Sequence, residues 1–134
     1  MTWAPSRWRS LPYEVGLPDD EGRRVEWSVI ELVNSTQLLS EGQAMHHCVA
    51  SCAGKCARGA AAIWSLRRRH GADGAARPVL TVEVDPRDAT IVQIRGPANR
   101  RAHGQPLELV RMWAARERLG LSREVEKDLA GAVG

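Results

Sequence analysis

The sequence predicts an α+β domain: a small antiparallel sheet, made of a three-stranded meander with a further strand on its N-terminal side, covered by helices on one face. Three observations carry this. Ala61–Arg68, Val79–Asp85 and Thr90–Arg95 alternate apolar and polar side chains, the period of a strand with one buried face. Turn-forming segments join them: HGADGAARP first, then a tight DPRDA in which Pro86 suits position i+1. The flanking segments space their apolar residues as helices do and end at glycines. With 134 residues the chain can bury a core but is too short for two domains.

In chain order, residues 1–24 read as a tail or the remnant of a preceding segment. Prolines 5, 12 and 18 interrupt Trp3, Trp8 and Tyr13, so packing against the body is expected without regular structure. Val25–Val33 is dense in β-branched residues and reads as a strand. Asn34 or Ser35 can cap a helix beginning near Thr36, with Gly42 ending or interrupting it. A second helix is expected from about Gln43 to Ala57, closed by Gly59, before the meander. Gly96-Pro97 ends the meander. Pro106 then opens a helix with an apolar stripe of Leu107, Val110, Trp113 and Ala114. The body spans 25–120, and 121–134 reads as a charged helix or tail that frays at AGAVG.

Composition bounds the setting. No apolar run is long enough to span a bilayer, and MTWAPSRWRS lacks a signal-peptide core, so a cytoplasmic protein with no membrane partner is expected. Three cysteines, an odd number, favour reduced thiols over a disulfide framework. The net charge of +3 is unevenly spread: residues 58–104 hold nine arginines against four acids. Guanidinium forks suit phosphates and carboxylates, although a solvated basic face would have the same composition.

Alternation also sorts the meander into two faces. Trp64, Leu66, Leu80, Val82, Val84, Val92 and Ile94 fall on one side, under the helix that carries Trp113. Ser65, Arg67, Thr81, Glu83, Gln93 and Arg95 fall on the other, close enough across adjacent strands to interact. That polar face is the candidate site. Within it, Glu83 between Arg67 and Arg95 reads either as an ion pair or as a general base with arginines for phosphate oxygens. Ser65, Thr81 and Gln93 would add hydrogen bonds to a ligand, and Asn99 would arrive from the RGPANR loop, where Gly96 permits a tight turn.

The segment MHHCVASCAGKC is the other concentration of reactive groups. On one helix, Cys48, Cys52 and Cys56 would share a face with His47 beside them, a donor set that zinc accepts. The CxxC knuckle of structural zinc sites is missing, so no metal is assigned and the cofactor is left undetermined. Cys48 is a candidate nucleophile, but a neighbour on a helix points about 100° away, so its base would have to come from elsewhere, such as His70 or His103.

These same blocks resemble the PcfJ-like family, named after a protein of a conjugative plasmid. Its C-terminal domain is similar to L-x-x-EG-x-x-M-x-HCV-x-S-Y, I-x-SLR, T-x-E-V and Q-x-RG-x-x-N. Here the matches are Leu39, Glu41, Gly42, Met45, His47, Cys48, Val49 and Ser51, then Ile63, Ser65, Leu66 and Arg67, then Thr81, Glu83 and Val84, then Gln93, Arg95, Gly96 and Asn99. Trp113 matches in the closing helix, and the likeness covers about residues 26–120. Cys52 departs from the pattern, where the family has Tyr, which argues against Cys52 as a required ligand. The family's longer N-terminal region is lacking, so a short or truncated member is expected. The resemblance implies a mobile-element or plasmid setting, with conjugation its background, and no particular reaction.

Whether the domain is an enzyme stays open. The first reading is an accessory protein whose Arg-bearing cleft engages nucleic acid or a nucleotide. A hydrolytic version would use Glu83 or His47 as acid or base, Arg67 and Arg95 as phosphate clamps and Asn99 to orient the substrate. The second is a module for other mobile-element proteins in which the polar network only holds the fold. The third is a thiol enzyme built on Cys48.

Overall fold

The computed structural model describes residues 1–71 and 74–131. The architecture is α+β, with a larger sheet than expected. Six strands lie in sequence order: β1 (Leu11–Val15), β2 (Val25–Leu32), β3 (Ala62–His70), β4 (Arg77–Asp85), β5 (Thr90–Arg95) and β6 (Gly120–Leu121). Neighbours from β1 to β5 are antiparallel, whereas β5 and β6 are parallel, so the sheet is mixed. Among the described residues four helices accompany it: α1 (Ser35–Met45), α2 (Ala53–Ala57), α3 (Gly104–Glu117) and α4 (Arg123–Gly131).

The N-terminal segment corrects the sequence reading. Residues 1–24 contain β1, an edge strand that tolerates Pro12 because an edge leaves some amides unpaired. Trp8 and Leu11 are buried in the main core, and Trp3 donates its indole N–H to the carbonyl of Leu32 at 3.3 Å.

Coverage of one sheet face is also corrected, because helices cover both. On the first face, Trp27, Val29, Trp64, Leu66, Val82 and Val84 pack against α3 and α4 through Val110, Trp113, Ala114, Val125 and Leu129. Trp64 and Trp113 meet with ring centroids 4.8 Å apart. The second face carries a smaller cluster of Leu32, Leu38, Val49, Cys56 and Ile63, contributed by β2, β3, α1, α2 and the turn between the helices. A bulge in the β4–β5 register after Glu83 pairs Val84 with Ile91. Ile91, not Val92 as expected, therefore occupies the core.

The helices before the meander divide differently from the expectation. Asn34 caps α1, its side-chain oxygen accepting from the Gln37 amide at 2.8 Å. The helix then runs through Gly42 and ends at His46, whose φ of 55° is left-handed. No helix spans Gln43–Ala57; a turn at His47–Cys48 leads to a 3-10 segment, Val49–Cys52, and then α2. Gly42 is needed for a close approach, since a Cβ there would lie 2.8 Å from the His47 carbonyl oxygen. The chain thus folds back over α1 and delivers His47 to the sheet. Of the expected C-terminal fraying, residues 132–134 lie outside the described part.

Candidate functional site

The second sheet face holds a polar network centred on Glu41. This carboxylate sits on the α1 stripe formed by Leu38, Glu41, Gly42 and Met45, and it is 1% exposed. Ser65 donates to Oε1 at 2.9 Å, and Thr81 donates to Oε2 at 2.6 Å. Each hydroxyl is backed by a second group. The Arg67 Nε donates to the Ser65 Oγ at 3.2 Å, and a guanidinium nitrogen of Arg67 lies 3.6 Å from Glu41 Oε1. His47 Nε2 lies 2.9 Å from the Thr81 Oγ1. Glu41 is therefore the meeting point of two hydroxyl bridges, one leading to a guanidinium and the other to an imidazole.

Proton positions follow from this geometry. With Glu41 ionised, the Thr81 proton is committed to it, so His47 donates from Nε2 and leaves Nδ1 bare. Nδ1 is buried without a partner. Burial drives the Glu41 pKa up, against the hydrogen bonds from Thr81 and Ser65 and the charge of Arg67. Burial also drives the His47 pKa down, and the nearby Arg95 charge adds to this. Both groups are thereby pushed toward their neutral forms.

Beside this network opens a cleft of about 210 Å³. Its polar lining is His47, Cys48, Ser51, Thr81, Gln93, Arg95 and Asn99, with Val49 and Cys52 completing the wall. Thr81 and Arg95 are cross-strand partners, which sets the arginine next to the hydroxyl bridge. Gln93, with its amide oxygen turned inward, accepts from the Arg95 Nη2 at 2.6 Å and Nε at 3.0 Å. Asn99 is exposed on the RGPANR loop, held by its left-handed φ of 62°. Gly96 itself has an ordinary φ of −85°, so the turn does not use its conformational freedom. Its smallness matters instead, because a Cβ would lie 3.1 Å from the Arg100 carbonyl oxygen.

The site residues expected from sequence therefore separate. His47, Cys48, Thr81, Gln93, Arg95 and Asn99 line the cleft, and Ser65 and Arg67 belong to the buried network beside it. Glu83 does neither. It pairs with Lys55 of α2 at 3.1 Å, away from both Arg67 and Arg95, so the expected Arg67–Glu83–Arg95 constellation does not form. Because Lys55 is 47% exposed, this is a surface pair. Glu83→Gln is expected to cost only about 0–1 kcal/mol in chemical denaturation. A loss above 2 kcal/mol would make the carboxylate part of the core network.

Glu41 is the functional candidate the sequence reading missed. Its signal was present, since a glutamate at i+3 from Leu38 and i−4 from Met45 lies on the stripe that faces the core.

The three cysteines do not share a face. Cys48 is exposed, Cys52 half-buried and Cys56 buried, and no group of three or more His, Cys, Asp or Glu side chains among the described residues could hold a metal. Burial pushes the Cys56 thiol up to about 11, and burial with the Glu83 charge pushes Cys52 upward too, which disfavours thiolates. The bases suggested for Cys48 are also elsewhere: His70 pairs with Asp19 at 3.0 Å, and His103 is the N-cap residue of α3.

No helix is long and apolar enough to cross a membrane among the described residues. No curated protein and no solved structure matches the chain. The model of the PcfJ-like protein family matches residues 24–109, which takes in the strands of the polar face, α1 and the cleft. The chain belongs to the PcfJ-like protein family.

Proposed function

We propose that the cleft beside His47 binds a phosphate-bearing ligand, a nucleic-acid segment or a nucleotide. The observation that carries this is the charge of the lining: Arg95 contributes a guanidinium, and none of the residues lining the cleft carries a carboxylate. Gln93 accepts from the Arg95 fork and fixes it, while Asn99 supplies a further donor at the rim. Membership of the PcfJ-like family supports a plasmid or mobile-element setting, with conjugation its natural background.

Binding is the better reading than hydrolysis. A general base needs an accessible lone pair, yet His47 Nε2 is tied to Thr81 and Nδ1 is closed off. Glu83 lies outside the cleft, and His47, beside Cys48, is engaged with Thr81. The second reading, a module for other mobile-element proteins, draws its support from the Glu41 carboxylate, both of whose oxygens are satisfied within the fold by Ser65 and Thr81.

Fluorescence anisotropy with labelled single- and double-stranded DNA and RNA, titrated with NaCl, tests the proposal. Affinity is expected to fall steeply with salt. Arg95→Gln should weaken binding and lower the slope of log K against log salt by about 1. A flat salt response would remove phosphate from the account and leave the protein-binding module in front, and an unchanged slope in Arg95→Gln would remove phosphate from the cleft.

A further inference from the structure

We infer that a second phosphate site lies at the loop end of the β3–β4 hairpin, on the α3 side of the sheet, and that it takes the backbone of a nucleic acid. Its centre is a pair of arginines, Arg68 and Arg77, facing each other as cross-strand partners. Like charges directly opposite one another destabilise a sheet unless something neutralises them. Among the described residues, neither guanidinium has a carboxylate within 4.0 Å. Arg68 instead lies over the Trp27 ring, 5.6 Å from its centroid, which braces the fork without discharging it.

The two arginines line a groove of about 280 Å³ together with Arg23 and His70. Those two are already served by carboxylates: Asp19 binds Arg23 at 2.9 Å and His70 at 3.0 Å, and Glu21 lies 3.5 Å from Arg23. Desolvation raises the Asp19 pKa, but the Arg23 and Glu21 amides and the two side chains outweigh it and hold the acid down to about 2. Asp19 thus orients two cations; it also lines, with Asp20, a depression that Arg68 borders, but among the described residues neither Arg68 nor Arg77 has a paired carboxylate.

Arg68 also borders an adjoining depression with Gly104, Gln105 and Pro106 at the start of α3. That helix has no side-chain cap and no acid in its first turn, so its N-terminal amides and dipole also favour an anion. The arginine pair and the uncapped start of α3, joined by Arg68, give two anion-favouring features side by side, which suits an extended phosphate backbone. A bilayer presents a plane and fits a concave groove less well, which favours nucleic acid over a lipid surface. The ligand's identity, though not the site, rests on the nucleic-acid reading of the cleft.

The test measures binding of a fluorescein-labelled 20-base-pair DNA duplex across a salt series. Arg68→Gln/Arg77→Gln should weaken binding on the order of tenfold at 0.1 M salt and lower the log–log slope by about 1.8, two phosphate contacts at about 0.9 each. Arg77→Gln alone, at an exposed strand end, should keep the fold and lower the slope by about 0.9. Arg111→Gln/Arg123→Gln removes the same charge from exposed helix positions and serves as the comparison.

Equal behaviour of the two double variants would overturn the inference. Dependence on Arg68 and Arg77 but not on Arg95 would keep this site and remove the cleft from nucleic-acid binding. The converse would keep the cleft and remove this site. Arginine-dependent binding to phosphatidylserine vesicles without binding to the duplex would replace the nucleic acid by a lipid headgroup and overturn the inference as stated.

Discussion

Glu41→Ala is expected to lower stability by about 3 kcal/mol, on the order of 10 °C in melting temperature for a chain of this length. The loss has identifiable parts. Two buried hydroxyls, Ser65 and Thr81, lose their acceptor, Arg67 loses its ion pair, and a cavity opens under α1. Arg67 is 25% exposed and can turn toward water, which keeps the figure below that of a fully enclosed pair. Glu41→Gln keeps one acceptor and should cost about 1 kcal/mol.

The pH dependence gives a second reading of the same group. Burial raises the folded-state pKa of Glu41 above its ordinary 4.5, so between the two values the folded protein holds the extra proton. The stability this group contributes is complete below about 4.5 and is lost as pH rises through the folded value. Wild type should therefore lose ground relative to Glu41→Gln over that interval, measured by urea denaturation at stepped pH. Parallel curves would mean an unperturbed carboxylate. An apolar triple variant, Glu41→Leu/Ser65→Ala/Thr81→Val, should recover most of the stability lost in Glu41→Ala, because all partners leave together. If it also loses ligand binding, the network shapes the cleft; if binding persists, the network serves the fold alone.

The legible parts of this molecule were those with a strict local period. β3, β4 and β5 follow from alternation, and the α3 stripe follows from 3.6-residue spacing, since each pattern is set by its own segment. β1 was hidden by Pro12, which an edge strand accepts and an inner one does not. β6 has two residues and exists only through its parallel pairing with β5. The bulge that moves Ile91 into the core is a property of the pairing and leaves no mark in either strand.

The site divides in the same way. Alternation placed Ser65, Arg67, Thr81, Gln93 and Arg95 on one face. Which carboxylate meets them depends on the helix laid across that face, and α1 brings Glu41 where Glu83 had been expected. The error came from one glycine: reading Gly42 as a helix stop broke the stripe that would have shown Glu41 facing inward.

That glycine supplies the second large effect. In an unencumbered helix, glycine to alanine gains up to about 1 kcal/mol. At position 42 the new Cβ would lie 2.8 Å from the His47 carbonyl oxygen, a backbone atom that cannot rotate away. The His47 amide also donates to the Gly42 carbonyl at 3.1 Å, so the two segments are tied where the methyl group would intrude. Gly42→Ala should therefore push the Met45–His47 turn off α1, reverse the helical gain and cost about 1–3 kcal/mol net. Gly54→Ala in α2 is the contrast, because its Cβ would meet only the end of the Arg58 side chain, at 3.3 Å, and should be neutral or stabilising. The displacement has its own signature. Burial holds the His47 pKa below 6.5 in the folded protein, so its stability contribution is present above 6.5 and is lost as pH falls through the lower, folded value. Releasing His47 from Thr81 into water should return its titration toward 6.5, as followed by the imidazole resonances in NMR. A Gly42→Ala protein that loses stability while His47 still titrates low would place the strain within α1 and leave the turn intact. A rise in the His47 pKa would instead assign Gly42 the task of seating the histidine against the sheet, and ligand affinity in the cleft should fall with it.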